Sequence, residues 1–513
     1  MKQNISAKFL YVYVCVTGAS VMALELAASR FLAPYFGTSM IVWANIIGLI
    51  LLSLSLGYWL GGRLADRKPS GNILMTLSLL SGIWSSLLPL WGQIIFRYLS
   101  GGIMNTPVLT ILLSFVSILL VFAPPVFLLA MVSPFALRLV AGPPEQTGKI
   151  AGNLYAFSTL GSIIGTFGTA FGTIPFLGTQ ETLYLWSASL LLISCIGLKS
   201  SRIGRLAWFS LALPLLLYLW LHGPLKQNGD VLWSKDTLYQ FVQVIRNSDG
   251  TTALVYNEGG GVQSLHRPHD ALNPNDYYDD YLLLPYLVNH PGKAVILGSA
   301  GGTIPHLLAR YDKPFFPNLQ LTGVEIDPAV IPLARKYFGF LPSDGKLVNA
   351  DGRQFINHTN NRYDIIIVDA YTQQIYIPFH LATQEFFTQL KEHLQPSGVV
   401  ALNVNAISPN SKLLVSMEKT VQSVFPYTYV IKARGQYNYI LLGSQTKLST
   451  SGFAQIPATN PIHAIAEEWP VSMRPLAHKE TAAGTLLTDN HAPVELMTDS
   501  MIMKFITNTE GSN

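Results

Sequence analysis

Lys293-Ala294-Val295-Ile296-Leu297-Gly298 runs directly into Ser299-Ala300-Gly301-Gly302-Thr303, and further on the chain reads Val324-Glu325-Ile326-Asp327-Pro328. An apolar run that ends in a glycine turn, then a second apolar run that ends in an acid, is the pattern by which an open α/β sheet holds an adenosine. Glycines at Gly298, Gly301 and Gly302 let backbone approach the ligand, and the carboxylate of Glu325 is placed to accept the ribose hydroxyls.

Outward from that stretch, strand and helix patterns alternate. Strands are expected near 293–298, 319–324, 345–349, 364–369 and 398–404, and helices near 302–311, 328–337, 382–394 and 411–423. A closing pair, 427–433 and 437–443, reads as antiparallel, with Gly435-Gln436 at its turn. Upstream, alternating runs at 239–245, 252–256 and 262–265 are punctuated by Asp249-Gly250 and by Glu258-Gly259-Gly260-Gly261. They predict a small β-subdomain, with a helix following at 276–288. The expected plan is an all-α multi-pass membrane bundle over 1–225, a β-subdomain over 231–275, a Rossmann-like α/β domain over 276–449 and a tail over 450–513 folded back on it.

The N-terminal half has a different chemistry. Residues 1–222 hold twelve Lys/Arg against four Asp/Glu (Glu25, Asp66, Glu145, Glu181), a net of +8, while the remainder nets −4. The overall charge thus averages a basic membrane half and a mildly acidic soluble half. Neither half has the basic stripe that nucleic acid requires. Seven apolar spans are expected, near 9–29, 41–60, 72–92, 108–133, 150–173, 180–198 and 206–222. Most approach the ~20 residues that cross a hydrocarbon core, the last being the shortest. Lys2 and Lys8, Arg63, Arg67 and Lys68, Arg138 and Lys149, and Lys199, Arg202 and Arg205 fall on alternate connections, with little beyond Arg97 on the others. The positive-inside rule places the N-terminus in the cytoplasm of a multi-pass inner-membrane protein. Seven crossings would carry residue 230 onward outside, unless the last span does not cross.

Three further features of this half are ambiguous or quiet. Glu25 and Arg30 lie in or near the first span, where a charge marks a substrate pathway or an ion pair that orders the bundle. Gly161, Gly165, Gly168 and Gly172 suggest close helix packing. Cys15 and Cys195 both sit in apolar spans, which leaves no disulfide framework or zinc set, and no cleavable signal pattern is evident. Gly61-Gly62-Arg63-Leu64-Ala65-Asp66-Arg67 resembles the cytoplasmic loop of major-facilitator transporters, but seven spans are too few for that fold.

Over about 231–445 the chain resembles the spermidine synthase family, in its membrane-fused forms. The motifs are Tyr239-Gln240, Val324-Glu325-Ile326-Asp327-Pro328, Asn349-Ala350-Asp351-Gly352-Arg353 and Ile366-Ile367-Val368-Asp369-Ala370. The resemblance implies transfer of an aminopropyl group from decarboxylated S-adenosylmethionine to an amine. In that family Tyr239 and Gln240 would line the nucleoside site, Glu325 would bind ribose, Asp351 and Gly352 would lie near adenine, and Asp369 would accept the proton. The residues themselves support such roles. Glu325 and Asp369 end apolar parallel strands, where open sheets bind ligands. The alternative for each acid is an N-cap on the next helix, the preferred reading for Asp327. A carboxylate attracts an ammonium and takes its proton, and alignment supplies the remaining catalysis. No metal is expected, and His380 and His393 read as surface residues.

Departures from the family pattern bear on the acceptor. The family usually has an aspartate in the glycine loop, where this chain has Ala300, and another three residues after the proton acceptor, where it has Thr372. Tyr278-Asp279-Asp280 stands in place of a tyrosine-histidine-glutamate motif. Tyr278, Asp279, Asp280 and Thr372 are therefore the expected substrate-side residues. Asp276, Asp279 and Asp280 either restore acidity toward a cationic amine or form a solvated helix start. Ile377-Pro378-Phe379 is a candidate gate, while Phe386 and Phe387 belong to the core. Fewer carboxylates favour methyl transfer from intact S-adenosylmethionine to a small or membrane-delivered substrate as the alternative. A nucleoside sensor or transporter is the third reading. The expected partners are a small amine and the lipid bilayer, with a homodimer as a candidate assembly.

Overall fold

A computed structural model describes residues 6–36, 40–100, 107–140, 147–198, 202–220, 230–257, 261–272, 276–372 and 375–509. The chain separates into two compact units, Met1–Gln227 with Ser234–Phe241, and Asn228–Trp233 with Val242–Asn513. The first unit thus keeps a segment expected in the β-subdomain. The Gly-Pro pair read as the end of the membrane region, at 223–224, lies outside the described residues.

The first unit is helical: α1 (Ala7–Phe36), α2 (Met40–Arg67), α3 (Gly71–Ser100), α4 (Pro107–Val121), α5 (Ala123–Ala130), α6 (Val132–Val140), α7 (Thr147–Phe167), α8 (Ile174–Leu177), α9 (Thr179–Leu198), α10 (Arg202–Ala207) and α11 (Ala212–Trp220). Among the described residues six stretches are long and apolar enough to cross a membrane, where seven were expected. Two more apolar helices, Leu112–Val121 and Gly204–Trp220, are shorter. The expected single span at 108–133 is interrupted at Phe122, just ahead of Pro124-Pro125, whose missing N–H groups break the hydrogen-bond ladder. Leu51, Phe171 and Leu219 are all more than half exposed, an apolar exterior suited to lipid. Gly161 and Gly165 do serve close packing, because a Cβ on either would run into the α1 backbone at Cys15 or Ala19. Gly168 and Gly172 fall instead in a π-helical turn, where a Cβ would meet only the Trp186 ring at ordinary contact distance or nothing at all.

Within this unit the Arg30 guanidinium donates to the Leu238 carbonyl, and the Thr179 N–H donates to Asp236 at 3.1 Å. Far along the helices from these contacts, Arg138 pairs with Asp66 at 3.3 Å.

A four-stranded sheet runs in sequence order, β1 (Asp230–Asp236), β2 (Phe241–Arg246), β3 (Thr252–Tyr256) and β4 (Val262–His266), most of it in the second unit. β1 was not foreseen, since its ends are polar. The turn at 258–260 lies outside the described residues. The expected helix at 276–288 is a 3-10 helix over Tyr277–Leu287, capped by the Asp276 side chain on the Tyr277 N–H.

The larger sheet alternates with helices as expected: β5 (Lys293–Leu297), α12 (Thr303–Tyr311), β6 (Gln320–Glu325), α13 (Ile331–Tyr337), β7 (Lys346–Asn349), α14 (Gly352–His358), β8 (Tyr363–Val368), α15 (Gln384–Glu392), β9 (Leu394–Asn405), α16 (Lys412–Val424), β10 (Tyr427–Lys432) and β11 (Asn438–Ser444). The tail adds α17 (His463–Ser472), β12 (Arg474–Pro475), α18 (His478–Thr481) and α19 (Val494–Thr509). Strand order is β12-β10-β11-β9-β8-β5-β6-β7. The run β9-β8-β5-β6-β7 is parallel, and β11, β10 and β12 join it antiparallel. The β5 and β8 strands are buried over nearly their whole length between two apolar layers, as a parallel sheet covered by helices requires. A third apolar cluster packs Val242, Val244, Leu254 and Tyr256 of the small sheet on Ala300 and on Val330, Leu333 and Phe338 around α13. The small sheet therefore covers the glycine loop.

Candidate active site

The glycine loop is shaped by backbone that few side chains tolerate. Gly298 has φ +87°, and a Cβ there would come within 2.5 Å of the Asp369 carbonyl oxygen and the Ala370 Cα. Only glycine permits that approach. The Asp369 N–H donates to the Leu297 carbonyl at 2.9 Å. The end of β8 is thereby locked against the start of the loop. Gly302, at φ +82°, supplies the left-handed residue from which α12 begins. Ala300 also has positive φ (44°), an uncommon conformation for a residue with a Cβ.

Glu325 grips the loop from the other side. One of its oxygens accepts the Ala300 N–H and the other the Asp327 N–H, each at 2.9 Å. Burial pushes its carboxyl up to about 7, against the pull of those N–H donors. Glu325 and Asp369 thus flank one loop, as their strand-end positions implied.

Asp369 has partners that the sequence did not announce. The Tyr277 hydroxyl donates to it at 3.0 and 3.3 Å, and the Asn403 amide at 3.0 Å. It keeps partial solvent contact. The protein packed round it still raises its carboxyl to about 7, with the amide and the phenol pulling the other way. Asn403, near the end of β9, belongs to a polar chain, for the Asn438 amide donates to it at 3.0 Å and the Tyr371 hydroxyl to its carbonyl at 2.8 Å. A polar residue within the apolar run Val399–Val404 was the one available signal.

The remaining expected residues divide. Asp351 caps α14 through the Gln354 N–H at 2.9 Å, and its other oxygen meets His380 Nε2 at 3.2 Å. The imidazole holds its carboxyl below the usual range. The N-cap alternative is therefore present, and His380, read as a surface residue, is its partner. Gly352 follows in the first turn of α14 and packs toward Leu297. Asp327 forms a local turn with the Ala329 N–H at 3.0 Å. Tyr278 donates to the Val262 carbonyl at 3.2 Å, and with Asp276 and Asp279 it lines a small cavity of about 20 Å³.

Two expected substrate-side residues turn elsewhere. Asp280 accepts from the Trp469 indole at 2.8 Å and the Arg434 N–H at 2.9 Å. Its carboxylate ties the 3-10 helix to the tail, because a buried acid must be satisfied by the donors nearest to it. Thr372 is exposed and bonds the Tyr376 carbonyl of its own loop at 3.3 Å. Tyr239, half exposed, and Gln240, buried, lie in the segment held by the first unit, where the Gln240 carbonyl accepts from Thr237.

Comparison with known proteins adds a family. Residues 283–441 match the spermine/spermidine synthase domain. A "Probable polyamine aminopropyl transferase" of Bifidobacterium longum is 37% identical over 197 residues, 38% of this chain and 42% of that protein. The match therefore spans less than half of that relative's length. A "Polyamine aminopropyltransferase" of Vibrio vulnificus is 30% identical over 291 residues, 53% of this chain and 92% of that one. An "eEF1A lysine and N-terminal methyltransferase" of Bos taurus is 31% identical over 178 residues, 32% of this chain and 25% of its own.

Proposed function

The chain belongs to the spermine/spermidine synthase family, and on that footing we propose that its second unit transfers an aminopropyl group from decarboxylated S-adenosylmethionine to an amine. The observation that carries the reading is Asp369, held at the end of β8 against the glycine loop by Tyr277 and Asn403, with a proton affinity near neutrality.

In the transfer, the lone pair of the amine attacks the methylene carbon beside the sulfonium. The C–N bond forms as the C–S bond breaks, and its electron pair returns to sulfur as a neutral thioether, methylthioadenosine. The amine arrives as a cation and loses its proton to Asp369. A carboxyl that titrates near 7 is well matched to take it. Glu325 suits the ribose: each oxygen accepts one N–H and keeps further acceptor capacity for a hydroxyl. Asp279, in the cavity beside Tyr278, supplies acidity toward the cationic end of the amine. The six long apolar helices support a multi-pass inner-membrane location.

Methyl transfer is the second reading. It is favoured by Ala300, which puts no carboxylate in the glycine loop to repel that of intact S-adenosylmethionine. Incubating the purified full chain with either donor and candidate amines separates the two. Methylthioadenosine release supports aminopropyl transfer, S-adenosylhomocysteine selects methylation, and neither product with donor still bound would discard both.

A further inference from the structure

We propose that His266, Asp270 and His306 form a binding site for a divalent transition metal, Zn2+ foremost. The three residues come from separate places: His266 ends β4, Asp270 lies in the following turn, and His306 is in α12. His266 and Asp270 are four residues apart, but His306 joins them only through the fold, which is why the sequence suggested no metal. Their ligand atoms all lie within 4.8 Å of one another. His306 Nε2 stands 3.1 Å from Asp270 Oδ1, and His266 Nδ1 stands 3.8 Å from the same oxygen. Two ligands ~2.05 Å from a tetrahedral ion are separated by roughly 3.3 Å, so small side-chain shifts close the site.

Two further observations point to an ion. His306 Nδ1 lies 2.8 Å from Asp344 Oδ2, and that oxygen also accepts the Leu341 N–H at 2.8 Å. A carboxylate on one imidazole nitrogen is the arrangement that supports a metal-bound histidine through the other. Its other nitrogen faces the Asp270 carboxylate, whose second oxygen lies 3.6 Å from Arg310 Nε, so an ion placed there would be shared by imidazole and carboxylate. Space for it is kept by Gly339. A Cβ at this residue would lie 3.1 Å from His266 Nδ1 and 3.3 Å from His306 Nε2. Gly339 has φ +70°, and His269 and Asp270 also hold positive φ, 60° and 55°. Uncommon backbone of this kind gathers at ligand sites.

Two imidazoles and one carboxylate suit zinc or a related ion, whereas magnesium and calcium prefer oxygen ligands. The site opens on the cavity that Asp276, Tyr278 and Asp279 also line. An ion here would tie β4 and its turn to α12, the helix that leaves the glycine loop.

The test uses the full chain, purified in detergent without a histidine tag, stripped with a chelator and dialysed against Zn2+. One equivalent of zinc per chain is expected by elemental analysis. A visible d–d absorption is expected with Co2+, and a rise in melting temperature only when metal is present. His266→Gln and His306→Gln should each abolish the stoichiometric binding. Asp344→Asn, which touches no metal, should weaken it roughly 10–100-fold. Because His306 is buried, His266→Gln, at a more accessible residue, serves as the variant whose cooperative melting shows that it folds. Failure of the folded wild-type chain to take up zinc, or undiminished uptake by both histidine variants, would overturn the site and leave a proton shared among these side chains.

Discussion

Removing water from a carboxylate raises its proton affinity, and donors pointed at it lower that affinity again; Asp369 sits between these effects. Its acidity, moved from the ordinary 3.8 to about 7, has consequences of two kinds. For catalysis, kcat/KM should rise with pH through about 7 as the acceptor loses its own proton, and Asp369→Asn should cost ~10²–10⁴-fold in turnover while donor binding survives. Tyr277→Phe removes a donor that favours the ionised form, so the acid limb should move to higher pH. For stability the sign follows from proton counting. Between 3.8 and about 7 the folded chain holds a proton that the unfolded chain has released. The contribution is complete below that interval and fades as pH rises through it. Melting temperature measured across this range should therefore decline less steeply for Asp369→Asn than for the wild type.

Among the elements, the 3-10 helix over Tyr277–Leu287 carries side chains with opposite duties. Tyr277 turns to Asp369, whereas Asp280 turns to Trp469 and Arg434 of the tail and the β10–β11 turn. Asp280→Ala would leave the buried Trp469 indole without its acceptor, at a cost of ~1–3 kcal/mol. A lowered melting temperature, with no selective rise in KM for the amine, is the expected result; the reverse would return Asp280 to the substrate side. The alternating strands and helices were legible because each repeats an apolar period, and Glu325 and Asp369 were singled out by the family resemblance together with their strand-end positions. Direction within a polar run was not legible. Tyr277 and Asn403 stand 92 and 34 residues from Asp369 in the chain, and only the closed sheet brings them together. Asp280 resembled its neighbour Asp279 in every respect that the sequence records. The break at Phe122 was hidden by unbroken hydrophobicity, although Pro124-Pro125 was visible.

For the whole molecule, the segment Ser234–Phe241 is informative because it is held by the helical unit. Its partners are Arg30, near the C-terminal end of α1, and Thr179, at the start of α9. The basic connections lie toward the other end, where Lys8 begins α1 and Arg138 meets Asp66. The positive-inside rule would put that basic end in the cytoplasm, and the prediction is then that the chain leaves the helices on the outer side, the shorter Gly204–Trp220 helix making a further crossing. An alkaline phosphatase fused at the C-terminus, active only outside the cytoplasm, should therefore be active. A fluorescent reporter that matures only inside should stay dark.

The carbonyl of Leu238, fastened to Arg30, then has a consequence for supply. On that predicted placement, the proposed transferase could not draw on the intracellular pool of sulfonium nucleosides directly. Export, leakage or secretion of the donor would govern its flux, and the modified amine would accumulate in the medium rather than in the cell extract.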